Sequence, residues 1–208
     1  MARPREFDEQ AVLDAAIAQF WSHGYASTSV RDLATTMGMT GASVYNAFGD
    51  KRALYARSFE RYVEAGFRDR VRRFEHRLAP REAIVAFFDE IIRLTVQDAQ
   101  RKGCMIVNTA LELAPHDADF QQLLERILED IEAFFLRCVE AGQAEGTIPP
   151  ELAAVDTARM LFAVLLGLRV LARVRPRREL LEGAVRPALA MIGASLPAAK
   201  RRGPAQET

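Results

Sequence analysis

The sequence has few of the residues on which metal enzymes depend. It contains three histidines, His23, His76 and His116, and none of them follows a glutamate by three residues. The Glu-x-x-His pairs of di-iron bundles are therefore absent. The two cysteines are not spaced as zinc ligands, and no glycine-rich segment resembles a phosphate-binding loop. We predict that the chain is not an enzyme and carries no metal or cofactor.

Long apolar runs are also absent. The longest, 160–168, has nine residues, whereas crossing a bilayer core of about 30 Å takes about 20 residues. The N-terminal sequence MARPREFDEQ lacks the apolar core of a signal peptide. Two cysteines provide no disulfide framework and fit a reducing compartment. We expect a soluble, cytoplasmic protein that makes no contact with a membrane.

The chain has no excess of positive charge. Its 28 basic and 28 acidic residues give a formal net charge of zero. A protein that coats nucleic acid without sequence preference is usually strongly basic, so this function is disfavoured. A protein that binds one DNA site needs only a local basic surface, and the composition leaves that function open.

Helical patterns dominate the chain, and strand patterns are nearly absent from it. We predict an all-α fold of about nine helices, because apolar residues recur at helical spacing almost throughout. The expected domains are a three-helix helix-turn-helix head (1–50) and a larger C-terminal helical bundle (51–196) for ligand binding and dimerisation. A disordered tail (197–208) would follow. A long helix over 51–78 would join the head to the bundle.

The segment 27–51, STSVRDLATTMGMTGASVYNAFGDK, has the spacing of a helix-turn-helix. Ala34 is small enough for two helices to cross closely. Gly38 accepts the positive φ that the turn between them requires. Val44 supplies the apolar residue with which the second helix packs against the first. The exposed residues of that second helix would then face a DNA major groove.

The order and spacing of residues around this segment resemble the N-terminal domain of TetR-family transcriptional repressors. The matching positions are Phe20, Gly24, Tyr25, Thr28 to Ala34, Gly38, Ser43 to Tyr45, Phe48, Lys51 and Leu54. The resemblance implies a homodimer whose two heads bind a palindromic operator in double-stranded DNA and release it when a small-molecule effector binds. Two alternatives remain open, a regulator that senses redox state or electrophiles through a cysteine and a helical adaptor that does not bind DNA.

The same resemblance implies which head residues contact DNA. Thr28, at the start of the second helix, and Lys51, at the start of the fourth, would bind phosphate. The other predicted contacts lie at or near the start of the third helix: Thr40, Gly41, Ala42, Ser43, Tyr45 and Asn46. Many relatives carry lysine and glycine where Gly41 and Ala42 stand, so this chain lacks one of their contacts.

The head is not basic as a whole, because residues 1–52 hold five basic and six acidic side chains. Arg3 and Arg5 precede the first helix. They would either add DNA contacts from a flexible arm or belong to a disordered terminus that has no role.

The helix predicted over 151–173 is apolar on nearly every side and must therefore be covered on every side. One face can pack on its own subunit and the other on a partner, or the whole helix can be buried in a monomer. We predict that this helix and the last one pair with their symmetry mates. The predicted interface residues are Leu161, Leu165, Leu168, Leu181, Val185 and Leu189.

Aromatic residues and a few polar ones within 51–145 predict a pocket for a small, partly apolar effector. The predicted lining residues are Tyr62, Phe67, Phe88, Cys104, Asn108, Glu112 and Phe134. Each aromatic residue can also be a core residue, and Asn108 and Glu112 can also form hydrogen bonds between helices. Cys104 follows a glycine at a predicted helix N-terminus, a position that activates thiols in some proteins. It is either such a switch or a small buried residue.

Overall fold

The chain is helical throughout the part that the structure describes. The structure is a computed structural model that describes residues 7–197. This part contains nine helices, with α4 counted as one, and no strand, so the predicted all-α class is confirmed. The helices are α1 Glu9–His23, α2 Val30–Thr36, α3 Gly41–Phe48, α4 (Lys51–Val63, Glu64–Arg68 and Asp69–Arg77 in succession), α5 Pro80–Gln97, α6 Met105–Glu112, α7 Ala118–Ala144, α8 Ala154–Val174 and α9 Arg178–Met191. The predictions for Arg3, Arg5 and the tail beyond residue 197 lie outside the described residues.

Short polar side chains set the start of each head helix. The carboxylate of Asp8 accepts hydrogen bonds from two backbone N–H groups at the start of α1. Ser29 and Asp32 form a reciprocal capping box at the start of α2. Thr40 caps α3 and Asp50 caps α4 through their side-chain oxygens. These caps fix the residue at which each helix begins, because each side chain binds backbone N–H groups that have no partner within the helix.

The second and third helices form the predicted helix-turn-helix. Gly38, in the turn, has a φ of +64°. Ala34 and Val44 are 6% and 2% exposed, and both belong to the buried core that includes Phe20 and Leu33. The three scaffold residues therefore have the burial and backbone conformation that the sequence predicts.

Helix α4 joins the head to the bundle and contains one irregular turn. The predicted helix over 51–78 is present, and it ends at Arg77 because Leu78 has extended backbone angles. The stretch Glu64–Arg68 is a π-helical turn within it. No signal in the sequence indicates this turn. Turns of this type are frequent at functional sites, and this one lines the cavity described below.

Phenylalanines from α5 and α7 fill the centre of the bundle. The ring centroid of Phe87 lies 5.1 Å from that of Phe134 and 5.5 Å from that of Phe135. Phe88 and Phe134 have no exposed surface and do not line the cavity. This placement corrects the prediction that Phe88 and Phe134 contact an effector, because other core side chains enclose both rings.

The six leucine and valine residues predicted for the dimer interface are buried within the single chain. They are Leu161, Leu165, Leu168, Leu181, Val185 and Leu189, each between 0% and 4% exposed. This burial corrects the prediction, because a residue covered by its own subunit cannot form the surface that meets a partner. The large apolar residues that α8 and α9 do expose are Val155, Val170, Val174 and Met191. A helix that is apolar all round carries no signal of which face turns inward.

Within residues 7–197, no helix is both long enough and apolar enough to cross a membrane. The two longest, α4 and α7, each span 27 residues and carry charged side chains along much of their length.

Candidate functional site

The outward face of α3 presents polar and aromatic side chains to solvent. Ala42, Ser43, Tyr45 and Asn46 are exposed, and Tyr45 is 55% exposed despite its size. Val44 points into the head core. This alternation follows from the helical period, which places Val44 on the face opposite to its exposed neighbours. The face has the residues and exposure needed to enter a major groove.

Thr28 is not available to DNA. It lies one residue before the N-cap of α2 and is 1% exposed. Its hydroxyl donates a hydrogen bond to the carbonyl oxygen of Gly24, at 2.7 Å. The prediction that Thr28 contacts phosphate is therefore corrected. The exposed residue at this position is the N-cap, Ser29.

Lys51 holds the loop between α1 and α2. Its ammonium nitrogen donates to the carbonyl oxygens of Tyr25 at 2.8 Å and Thr28 at 2.9 Å. The same nitrogen lies 4.2 Å from the centroid of the Tyr25 ring, a cation–π distance. The structure thus gives Lys51 a structural role, and its predicted phosphate contact stays a prediction.

Arg31 is a head residue for which the sequence predicts no DNA contact. It lies in the first turn of α2 and is exposed. Its guanidinium makes no hydrogen bond or ion pair with any residue from 7 to 197. In the sequence, its position next to the N-cap of α2 is the feature that could indicate a DNA contact.

Glu112 connects the bundle to the head instead of lining a pocket. Its carboxylate accepts hydrogen bonds from the backbone N–H of Tyr25 at 3.1 Å and of Ala26 at 2.7 Å. Glu112 is the last residue of α6, and the two N–H groups belong to the α1–α2 loop. The inter-helix alternative for Glu112 is therefore the correct one, and the predicted effector contact is not.

Two further contacts join the head to the same part of the bundle. The guanidinium of Arg52 binds the carboxylates of Asp117, at 2.7 Å, and Asp119, at 2.7 Å. These hydrogen bonds from Arg52 lower the pKa of Asp117 to about 2. The hydroxyls of Tyr55 and Thr109 are hydrogen-bonded at 2.7 Å and buried, and burial raises the pKa of Tyr55 to about 12. Helix α6 and the start of α7 therefore form one contact surface for the head.

A cavity of about 670 Å³ lies between α1, α4, α5, α6 and α8. Three of the predicted residues, Tyr62, Phe67 and Cys104, line it. Asn108 does not, because its side-chain oxygen accepts from Arg173 at 3.1 Å and its nitrogen donates to the carbonyl of Lys102 at 3.4 Å. The volume suits a drug-sized molecule.

None of the charged residues that line the cavity is among those that the sequence predicts. Arg70 is 7% exposed, and its guanidinium binds Glu90 at 2.8 Å. Arg73 binds the same carboxylate at 3.1 Å. Burial works to raise the pKa of Glu90, but the hydrogen bonds from Arg73 and Arg70 outweigh it and hold the pKa below its usual value. Glu90 is therefore ionised at neutral pH, and the cluster is a paired structural element of the cavity wall.

Cys104 is a buried free thiol in this wall. It is the N-cap residue of α6. The hydroxyl of Tyr62 lies 4.0 Å from its sulfur and 3.3 Å from the backbone nitrogen of Met105, which donates to that hydroxyl. Tyr62 therefore ties α4 to the start of α6.

Comparison with known proteins identifies the family. Residues 12–57 match the family model described as "Bacterial regulatory proteins, tetR family". Residues 80–188 match the model "Tetracyclin repressor-like, C-terminal domain". The chain belongs to the TetR family. It is thus a helix-turn-helix transcriptional regulator, and proteins of this kind are typically not enzymes.

The similar proteins are transcriptional regulators that match over most of their length. The uncharacterized HTH-type transcriptional regulator YezE of Bacillus subtilis is 31% identical over 196 residues, which are 92% of this chain and 100% of YezE. The HTH-type transcriptional repressor ComR of Escherichia coli is 27% identical over 82% of each chain. A solved structure of the TetR family transcriptional regulator CifR, in complex with 26-bp operator DNA, is 28% identical with a TM-score of 0.80. It covers 91% of this chain and 98% of CifR.

Proposed function

We propose that this TetR-family regulator is a repressor that binds a palindromic operator as a homodimer and is released by a small molecule. The observation that carries the proposal is the outward face of α3, where Tyr45 and Asn46 are exposed on a helix fixed by its caps. The asparagine amide can pair with an adenine edge, and the serine and threonine hydroxyls can bind phosphate. The structural similarity to CifR bound to operator DNA and the repressor name of ComR support this function.

Release would pass through α6. Ile106 and Val107 of this helix line the cavity, and Glu112 at its end binds the α1–α2 loop. Because α6 has only eight residues, a shift at one end moves the other. Helix α4 provides a second route, since its π turn lines the cavity and its first residues belong to the head. In the dimer, the two recognition helices must lie about 34 Å apart, one turn of DNA, to enter both half-sites. An effector that changes this separation would weaken operator binding.

The proposed dimer uses the outward faces of α8 and α9. Gly167 and Val170 of α8 and Met191 of α9 are exposed in the single chain. A Cβ added at Gly167 or Gly183 meets no atom of the chain within 4 Å. Two copies can therefore bring these helices close together, as an isologous interface requires.

Operator binding is tested by selection. Purified full-length protein is incubated with double-stranded oligonucleotides of random sequence, and the bound fraction is sequenced. We expect a palindrome whose half-sites lie about one helical turn apart. Absence of any enriched sequence would favour the alternative, a helical adaptor that does not bind DNA.

Dimerisation is tested by sedimentation equilibrium of wild type and Gly167→Leu. The monomer has room for leucine, so the fold should be unchanged while the dimer dissociates at least tenfold more readily. The control is Leu111→Glu, which alters an exposed apolar residue of α6 (74% exposed) away from α8 and α9. A wild-type protein that is monomeric at every concentration contradicts the proposed homodimer.

The cysteine alternative rests on Cys104, whose sulfur lies in the cavity wall. Treatment with iodoacetamide, followed by mass spectrometry and an operator-binding assay, distinguishes the two forms of regulation. Selective modification of Cys104 with loss of DNA binding would support a thiol sensor. A thiol that stays unmodified in the folded protein leaves effector binding as the regulatory event.

A further inference from the structure

The cavity has one wall where polar groups from three elements meet. The rings of Trp21 and Tyr62 are in edge-to-face contact, with centroids 5.0 Å apart. The ammonium of Lys102 lies 5.1 Å from the Trp21 ring. Burial raises the pKa of Tyr62, and the positive charge of Arg169 opposes that rise. These four side chains all line the cavity.

Arg169 is a half-buried cation without a partner. Three carboxylates line the cavity, and each is paired with other basic residues: Asp14 with Arg61, Glu90 with Arg70 and Arg73, and Asp98 with Lys102. The guanidinium of Arg169 makes no hydrogen bond or ion pair with the described part of the chain. A guanidinium in such a position offers a planar fork that matches a carboxylate.

Trp21 supplies a second unused donor. Its indole Nε1 is buried and has no acceptor among residues 7–197. A buried indole N–H normally has a hydrogen-bond partner, because leaving it unpaired costs free energy. Trp21 lines the cavity with other atoms of its ring, so a small rotation of the ring would let an oxygen atom of a bound molecule provide that acceptor.

The rest of the lining is mostly apolar and would accept a hydrocarbon chain or ring. Phe67, Phe87, Ile91 and Leu165 contribute to it. Among the charged lining residues, five are basic and three are acidic. This balance favours an anion over a cation, since like charges repel in a site of low dielectric constant.

We propose that the cavity binds an amphipathic organic anion whose carboxylate pairs with Arg169, with an oxygen atom accepting from Trp21 Nε1 and an apolar body against Phe67 and Ile91. The regulatory meaning of this binding rests on the proposed function. The binding itself does not, and it is measured on protein without DNA.

The test uses straight-chain carboxylates from hexanoate to dodecanoate, each below its micelle concentration, with the primary amide and the primary amine of the same chain length. Trp21 is the single tryptophan of the chain, so its fluorescence reports occupancy of this wall. We expect at least one carboxylate to bind about tenfold or more tightly than its amide, because the ion pair is charge-assisted. The amine should bind more weakly than the amide.

Arg169→Gln should abolish the preference for carboxylate over amide while leaving the affinity for the amide unchanged. Arg175→Gln is the matched control, since Arg175 is the exposed C-cap of the same helix and does not line the cavity. Trp21→Phe, measured by calorimetry, should weaken carboxylate binding severalfold. Arg169→Lys should retain part of the preference, because lysine keeps the charge but lacks the planar guanidinium fork. Circular dichroism checks that each variant is folded.

Three results would overturn the proposal: no binding by any chain length, equal affinity for carboxylate and amide, or an unchanged preference in Arg169→Gln. If a carboxylate binds with the expected preference but operator affinity does not change, the proposed anion site is supported. The proposed release mechanism is then contradicted. The two failures are therefore distinguishable.

Discussion

Two basic residues at the start of α4, Lys51 and Arg52, and one in the cavity, Arg169, have opposite surroundings. In the head, Lys51 is bonded to backbone carbonyls and Arg52 to two carboxylates of the bundle. In the cavity, Arg169 has no such partner among residues 7–197. Under the proposed function, α3 would recognise DNA mainly through neutral groups, whereas the proposed anion site would recognise its ligand through charge. Charge in a sequence therefore does not show by itself which region binds an anion.

The largest expected effect is on the DNA side of this comparison. Tyr45→Ala should lower operator affinity about tenfold or more, because each half-site loses a contact and such contacts are worth about 1–3 kcal/mol. The stability should change by less than about 0.5 kcal/mol, since the residue is exposed. Fluorescence anisotropy with the selected operator measures the affinity. Leu111→Ala, which removes an exposed apolar side chain from α6, is the control, and equal affinities in the two variants would remove α3 from the interface.

Lys51→Met tests whether Lys51 stabilises the loop between α1 and α2 or binds phosphate. We expect a loss of about 1–3 kcal/mol of unfolding free energy, because two partly buried carbonyl groups lose a charged donor. We also expect an unchanged slope of operator affinity against salt. A phosphate contact in each subunit predicts instead that the slope falls by about 2, since each neutralised phosphate contributes about 0.9. Urea denaturation and binding titrations at several salt concentrations separate the two roles.

Glu112→Gln tests the connection between the regions. Replacing the carboxylate weakens two hydrogen bonds to the α1–α2 loop, so unfolding free energy should fall by about 1–2 kcal/mol. An effector that binds this variant should release the operator less completely than it does in wild type. Glu125→Gln is the control, since Glu125 is exposed on α7 and makes no ion pair or hydrogen bond with a described residue. Full release in Glu112→Gln would show that α6 is not the route.

The smallest expected effect concerns the pair of Arg52 and Asp117. The pKa of Asp117 is lowered from 3.8 to about 2, so the pair stabilises the fold above about pH 4 and this contribution is lost as the pH falls through 2. Asp117→Asn keeps a good N-cap for α7 but removes the charge. Its melting temperature should lie below that of wild type at pH 6, and the difference should shrink toward pH 2. Asp89→Asn is the control, since the carboxylate of Asp89, on α5, makes no ion pair or hydrogen bond with a described residue. A difference that does not depend on pH would contradict the pairing.

The head scaffold is predictable from the sequence because its signals are local. The N-cap of Asp8, the positive φ of Gly38 and the inward direction of Val44 each depend on a few neighbouring residues. The roles of Thr28 and Lys51 are not predictable in this way. Both are decided by how the α1–α2 loop folds back onto α4, which is a tertiary contact.

In the bundle, too, tertiary packing decides roles that the sequence pattern leaves open. Periodicity identifies α8 and α9 as apolar helices, but it cannot say that Leu161 and Val185 face the subunit's own core. Nor does it separate Phe67, which lines the cavity, from Phe88, which does not. The predicted domain boundaries and the remaining DNA contacts stay predictions.

The most direct test of the account is operator affinity with the cavity filled. Fluorescence anisotropy is measured with and without a saturating concentration of the tightest-binding carboxylate, with occupancy confirmed by the fluorescence of Trp21. The account predicts that wild type loses at least tenfold in operator affinity and that Arg169→Gln, at the same carboxylate concentration, does not. An operator affinity that stays constant while Trp21 reports a filled cavity would contradict it.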